Sequence, residues 1–374
     1  MVVGRSTGGI GTHVVELVRG LRTLGDEVAV VTDSVTAQRF SLAGAQLWWP
    51  SRQVGLARSL ANLIRLRVLV RGADVVHAHG HQAGFVAVVA AVGTGTPVVV
   101  SQHNALLGRA SRRSLVARLV QMAVARRAAL VTGASSDLVE EAHRHGARKA
   151  WLAPVPSPRV PALLAADPLE VSERRRLAGE LLRQNGIEAP EGALLLLTIA
   201  RIAPQKDLVT LVEAARVLQI SFHVGEVPAV WVVVGGGDQP LKDDLETRAR
   251  SLGAPVHLIG EQADPGRWLR AADVLVLTSL WEARALVVQE AMAAGVPVVA
   301  TDTGGLRDLV KGVGTLVPVG DAEAVAGAVA GYLEDPAARH TAVLAGREVA
   351  ASWDDDQATA RRWRDWYSDV RRMT

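Results

Sequence analysis

The sequence predicts an α/β protein built from two doubly wound parallel-sheet domains, and three observations carry that expectation. The chain has 374 residues, and at roughly 100–200 residues per domain that is room for two cores. Short β-branched runs recur along it, nearly continuous in apolar residues, as in strands covered on both faces. Each run is followed by a loop and an Ala-, Leu- and Arg-rich segment with helical spacing, and this series occurs twice.

In chain order the first series places strands at residues 28–31, 75–77, 97–100 and 129–131. The second places them at 194–199, 230–234, 256–259, 274–277 and 296–300. Between the series stand Pro154, Pro156 and Pro158, with Pro161 following. Clustered prolines continue neither a helix nor a central strand, so this is a hinge. The expected domains are therefore 1–158 and 159–352, with residues 166–187 a charged helical stretch ahead of the second sheet. A final charged helix over 353–374 is expected to cross back to the first domain. Asp354, Asp355 and Asp356 precede it, and Asp at a helix start reads as a cap rather than as a metal site.

A doubly wound domain also needs a strand before its first Gly-rich loop, and only Met1 to Val3 are available. Two readings stand: a very short strand, or a sequence that begins downstream of the natural start. Met1-Val2-Val3 runs straight into a Gly-rich turn, which is not the pattern of a signal peptide. The most apolar stretch, residues 84–100, is broken by Gly93, Gly95, Thr96 and Pro97, so it reads as a buried helix and strand rather than a membrane span.

Composition removes whole classes. Cys is absent, which excludes disulfide scaffolds, zinc knuckles, iron–sulfur clusters and thiol chemistry. A formal net charge of +3 is too balanced for a dedicated nucleic-acid binder, yet compatible with an anionic small ligand or a lipid surface.

Three segments could carry chemistry. Gly8-Gly9-Ile10-Gly11-Thr12-His13 opens a helix with Val14, Leu17, Val18 and Leu21 on one face. Small residues there let a backbone approach a ligand, and the helix start offers N–H groups to an anion. The same residues would also serve a plain tight turn, and they do not follow the dinucleotide-binding spacing. Arg201 and Lys206 leave the end of strand 194–199 with Pro204 between them. A planar fork and a point charge so placed could clamp a diphosphate, or be two solvated loop cations. Glu282 and Glu290 follow strand 274–277 in a strand–loop–helix segment. Both could face a crevice at the strand carboxyl ends, where open α/β sheets bind ligands. Either glutamate alone could instead be a helix-surface carboxylate. Together with Gly235-Gly236-Gly237-Asp238 the set points one way.

On these residues the chain resembles the retaining, nucleotide-sugar-dependent glycosyltransferases of family 4, which have the GT-B fold of two facing Rossmann-like domains. The likeness runs over nearly the whole chain. It includes the opening Gly-Gly loop, the spacing of Arg201 and Lys206, the triple glycine, Gly260 and the Glu-x(7)-Glu pair. The most specific blocks are residues 291–301 and Gly304-Gly305.

The resemblance implies an acceptor-side first domain and a nucleotide-sugar-binding second domain. Arg201 and Lys206 would hold the donor diphosphate, Glu290 the ribose and Glu282 the sugar hydroxyls. Gly9 and Gly11 would bring backbone N–H groups to the phosphates, and His103 would line the sugar pocket. The loop after Gly260 would cradle the base, with Asp264 capping it. Gly235, Gly236, Arg284, Leu286 and Val287 complete the implied donor site. The implied reaction moves a hexose-type sugar from a UDP- or GDP-linked donor to a sugar, polyol or lipid-linked acceptor with retained configuration. No metal or other cofactor is expected, since basic side chains and helix dipoles stand in. The implied location is the cytoplasm, with peripheral contact at an anionic membrane and no nucleic-acid partner.

Two departures stand out. Relatives usually carry Gly-Phe-Gly after the first glutamate, and this chain has Ala283-Arg284-Ala285, which adds a charge near donor sugar or acceptor. The clamp lysine is usually followed by Gly, here by Asp207. The alternatives are a non-catalytic sugar-nucleotide binder, a GT-B epimerase or phosphorylase, and a nicotinamide oxidoreductase, the last disfavoured by the missing fingerprint.

Further features fit more than one role. His77, His79 and His81 alternate at a strand end and would share a side only if the strand reached residue 81, which Gly80 opposes. They could line an acceptor cleft, bind a metal or be structural. The basic stretch Arg109, Arg112, Arg113, Arg118, Arg126 and Arg127, interleaved with apolar residues, is either a solvated helix face or a contact for anionic lipid. Trp48-Trp49-Pro50 could stack on a sugar or pack at a sheet edge.

Overall fold

The computed structural model describes residues 1–6, 8–42, 44–46, 55–105, 112–221 and 229–372. Trp48-Trp49-Pro50, named above as a stacking or packing element, lies outside the described residues, as does Arg109. The side chains of Arg112 and Arg113 are likewise not described. The chain divides into two compact units: unit 1 holds Met1–Pro158 and Asp354–Thr374, unit 2 Arg159–Trp353.

Unit 1 is built on strands β1 (Val2–Val3), β2 (Val76–His79), β3 (Val98–Gln102), β4 (Leu130–Gly133) and β5 (Ala150–Leu152). They lie side by side in that order, all parallel. The first strand is two residues long. The strand expected over 28–31 does not form: the segment makes only isolated bridges, from Val31 to Val2 and to Gln46. Strand alternation sorts the sheet's two faces. Val76, Ala78, Val98 and Val100 enter a core with the helices Leu56–Arg71, His81–Ala91 and Arg112–Arg127. Val99 and Leu130 face the opposite way, toward Leu17 and Leu21 of helix Gly9–Thr23 and Trp363 and Val370 of helix Asp356–Arg372. The chain's last helix is thus part of unit 1's core. Asp355 caps it, its Oδ1 accepting the Ala358 N–H at 2.7 Å.

Unit 2 holds β6 (Leu194–Ile199), β7 (Ala229–Val234), β8 (Val256–Gly260), β9 (Val274–Leu277), β10 (Val298–Thr301) and β11 (Thr315–Val317). The parallel sheet runs β11-β10-β9-β6-β7-β8. That is the doubly wound order, and strand order reverses between β6 and β9. Both faces are covered. Leu195, Leu197, Leu275 and Leu277 pack toward helices Val171–Gln184 and Leu286–Ala294. Leu196, Trp231, Val233 and Val276 pack toward Leu208–Ser221 and Ala322–Glu334. At the β9 start, fully buried Asp273 accepts the Leu195 N–H at 2.8 Å. Its other oxygen lies 3.3 to 3.6 Å from Arg174, Arg175 and Arg339.

Candidate active site

The loops leaving β6 and β9 flank the point where strand order reverses, the place where doubly wound sheets bind ligands. Lys206 and Glu282, one on each loop, form an ion pair there, both largely buried. Ser279 Oγ donates to the same Glu282 oxygen at 2.8 Å. Gln205 ties the loops together, its Nε2 donating to the Trp281 carbonyl at 2.6 Å and its own carbonyl accepting the Leu280 N–H at 2.8 Å. Thr278 Oγ1 reaches the Lys206 and Asp207 carbonyls at 3.1 and 3.0 Å. Asp207 stands in the left-handed region, φ +45°. A β-carbon is costly there unless the side chain is a short polar one, which is why Asp is tolerated.

The triple glycine serves the clamp loop directly. A β-carbon at Gly235 would run into the Ala200 carbonyl oxygen, and one at Gly237 into the Ile202 carbonyl oxygen. The Ile202 N–H donates to Gly236 O at 2.8 Å and the Asp238 N–H to Ile202 O at 2.9 Å. These glycines let two backbones meet. Arg201 lies between those tie points with an exposed side chain. On the other flank Gly304 fits against the Glu282 carbonyl, and the Gly305 N–H donates to that carbonyl at 2.8 Å. Gly260, φ +75°, ends β8 in open space. Asp264 caps the next helix, accepting the Gly266 N–H at 3.0 Å.

Helix Leu286–Ala294 starts four residues after Glu282, so the N–H groups of Leu286 and Val287 lie in its first turn. Glu290 is buried on it, and Arg159 faces its carboxylate at 3.5 Å. Sequence reasoning missed Arg159, which sits at the linker's edge with nothing local to mark it. Arg284 lies over the Trp353 ring, 5.3 Å from guanidinium carbon to ring centroid, flanked by buried Ala283 and Ala285. Its charge is thus held against an aromatic face.

Unit 1 carries a second cluster, uncharged. Because Val76 and Ala78 face one side, His77 and His79 face the other, where they meet His13 and His103. All four are buried. His79 Nδ1 and His103 Nε2 are 3.2 Å apart with their rings stacked. His77 bonds Tyr367 Oη at 2.6 Å and Ser101 Oγ at 2.7 Å, and Ser101 bonds Thr132 at 2.7 Å. Burial, with Arg362 nearby, pulls the His13 pKa down to about 4. Burial, with His13 and His81 nearby, pulls His103 to about 3. His77 and His79 fall well below the usual value for the same first reason. His81 leaves the row: Gly80 ends the strand, and His81 starts the next helix and bonds the Asn104 carbonyl at 2.7 Å. Among the described residues no group of three or more acidic or histidine side chains is arranged to hold a metal.

Gly9 is the first residue of its helix and exposed. Gly11 is buried under the Phe40 ring, which leaves no room for a β-carbon. Its N–H is taken by Gly8 O at 2.9 Å and Ser6 Oγ at 3.1 Å.

Residues 183–349 match the group 1 glycosyl transferases, and residues 8–158 the glycosyl transferase 4-like domain. A D-inositol 3-phosphate glycosyltransferase of Streptomyces avermitilis is 30% identical over 398 residues, covering 94% of this chain and 83% of its own. An Escherichia coli UDP-Gal:alpha-D-GlcNAc-diphosphoundecaprenol alpha-1,3-galactosyltransferase is 25% identical, covering 76% and 73%. The Anabaena HepE crystal structure in complex with UDP superposes with a TM-score of 0.81 at 20% identity, covering 98% of this chain and 99% of that one. That likeness shows the GT-B fold. The chain belongs to the family 4-type glycosyltransferases.

Proposed function

We propose that this glycosyltransferase moves a hexose-type sugar from a UDP- or GDP-linked donor to a hydroxyl of a sugar, polyol or lipid-linked acceptor, retaining the anomeric configuration. The observation that carries the reading is the Lys206–Glu282 pair at the switch point, on the loop that leads into helix Leu286–Ala294. A lysine ammonium has three donors, so it can keep Glu282 and still bind a phosphate oxygen. Arg201, exposed on the same loop, adds a planar fork for the diphosphate. The N–H groups of Leu286 and Val287 add the helix's positive end. These groups stabilise the diphosphate as the bond to the anomeric carbon breaks, which is why the reading needs no metal. Glu282 holds sugar hydroxyls, and Glu290, steadied by Arg159, holds the ribose. The acceptor hydroxyl attacks from the face the diphosphate leaves, and a leaving phosphate oxygen takes its proton.

The complexes of HepE with UDP and with UDP-glucose support the donor class. The name of the Streptomyces relative supports a polyol-type acceptor. His103 is assigned to the transferred sugar, a role that predicts a loss of kcat in His103→Ala with UDP affinity retained.

The test is a thermal-shift panel of UDP-, GDP- and ADP-sugars followed by Lys206→Ala kinetics. Ligand at about a hundred times its Kd stabilises by about 2.7 kcal/mol. Removing one preorganised stabiliser of developing charge costs about 10²–10³ in kcat. A flat panel, or near-normal turnover in a folded Lys206→Ala variant, overturns the assignment.

A further inference from the structure

Lys206 ends a single 3₁₀ turn, Pro204–Lys206, and so short a turn has little rigidity of its own. Inside it the Lys206 N–H donates to the Ala203 carbonyl at 2.9 Å, and the Asp207 N–H to the Pro204 carbonyl at 3.2 Å. The chain then leaves at once through left-handed Asp207. The facing loop, residues 278–285, carries Glu282 and forms neither helix nor strand. A lysine side chain also loses rotamer entropy whenever it is held in one place. The Lys206–Glu282 pair therefore depends on what ties its two loops to each other.

Half-buried Gln205 ties them twice. Its side-chain Nε2 donates to the Trp281 carbonyl at 2.6 Å, and its main-chain carbonyl accepts the Leu280 N–H at 2.8 Å. Gln205 directly precedes Lys206, and Trp281 directly precedes Glu282. The side-chain amide thus joins the two residues adjacent to the members of the ion pair. Thr278 Oγ1 adds a tie to the Lys206 and Asp207 carbonyls at 3.1 and 3.0 Å. That contact anchors the lysine's backbone at the start of the facing loop, four residues short of Glu282. The tie beside Glu282 itself comes from Gln205.

We propose that Gln205 is a positioning residue for sugar transfer: its side-chain amide sets the register of the two loops and, through it, where the Lys206 ammonium meets the donor diphosphate. This rests on the donor reading above and extends it to a residue that acts through Lys206. A misplacement of about 1 Å can cost about 10²-fold in rate. The single hydrogen bond that prevents it contributes only modestly to stability. The role is therefore separable from folding.

The test is steady-state kinetics of the full chain with the nucleotide sugar that gives the largest shift in the thermal panel. Gln205→Met keeps the volume and loses the donor. Gln205→Glu keeps the shape, but its carboxylate cannot donate to the Trp281 carbonyl and competes with Glu282 for Lys206. The expected result is a fall in kcat of at least about tenfold in Gln205→Met and a larger one in Gln205→Glu. Donor KM should stay within about threefold, because a loss in kcat alone marks an interaction made in the transition state. Both variants should melt within about 4 °C of the parent, the shift expected for one hydrogen bond. The deciding readout is Gln205→Met/Lys206→Ala. A residue that acts through Lys206 makes this double variant no slower than Lys206→Ala alone, whereas an independent role makes the two losses multiply. Near-normal kcat in Gln205→Met, a loss confined to KM, multiplying losses, or a larger fall in melting temperature in both variants overturns the proposal. It fails alone when Lys206→Ala is slow and Gln205→Met is not. Normal turnover in Lys206→Ala instead sinks the donor reading beneath it.

Discussion

The two units build their strand ends from opposite materials. Unit 2 uses ions: Lys206 against Glu282 and Arg159 against Glu290, with Asp273 at the other end of the sheet among three arginines. Unit 1 uses neutral rings: His13, His77, His79 and His103, with His77 wired through Ser101 to Thr132 and held by Tyr367. Burial favours the uncharged form of each histidine, and the Tyr367 hydroxyl, raised well above its usual pKa, remains a donor. The contrast suits the proposed donor site, in which unit 2 holds the anion. It also says how each should fail. Deleting a charge should damage unit 2, and adding protons should damage unit 1.

The largest expected effect is on unit 2. Asp273→Ala removes the buried carboxylate that faces Arg174, Arg175 and Arg339 and leaves the buried Leu195 N–H without its acceptor. Breaking a buried pair from one side costs about 3–5 kcal/mol, because the remaining charge is uncompensated. For a unit of this size that is a fall of about 10 °C in its calorimetric transition. A loss below about 1 kcal/mol would mean the arginines find other partners, and the ionic side of the contrast would be wrong.

How much of this was legible depended on how local the cause was. Strands β6 and β9 match the apolar runs at 194–199 and 274–277 to the residue, because central strands are covered on both faces. Strands β5 and β11 escaped notice, since each is three residues at a sheet edge. The run at 28–31 had the right composition but bridges only through Val31, because the two-residue β1 beside it offers little to pair with. In the site, residue types and spacing marked Lys206 and Glu282, which meet. Gly235 was read as a donor contact, and its missing β-carbon also makes room for the Ala200 carbonyl. Gly11 offered its N–H to a phosphate in the sequence reading and spends it on Gly8 and Ser6. Arg159 was invisible because its partner is 131 residues away.

Acid tests the neutral side. The buried histidines have folded-state pKa values below the unfolded value of about 6.5, so the folded state binds fewer protons. Their contribution is fully present above about pH 6.5. It is lost as pH falls, through a window that reaches about 4 for His13 and about 3 for His103. A shift of one unit is worth about 1.4 kcal/mol, so His13 alone accounts for about 3 kcal/mol. Hydrogen exchange followed by mass spectrometry from pH 7 to 4 should show peptides from 9–23, 76–79 and 356–372 losing protection before those of β6 and β9. Simultaneous loss in both units would remove the distinction.

The smallest effect sharpens the comparison within unit 1, at its last helix. Asp354 and Asp355 adjoin in sequence but act differently. Asp354 pairs with Arg362, both about a third exposed, an arrangement that contributes little because water screens it. Asp355 accepts the Ala358 N–H at 2.7 Å, satisfying a donor that the helix itself cannot. Asp355→Ala should therefore cost about 1 kcal/mol, while Asp355→Asn keeps most of the stability and Asp354→Ala changes it by a few tenths. About 1 kcal/mol makes opening of the first turn about fivefold easier, which exchange rates at residues 356–359 would report. If Asp354→Ala opened the turn as much as Asp355→Ala, charge rather than the hydrogen bond would be what fixes the first turn of this helix.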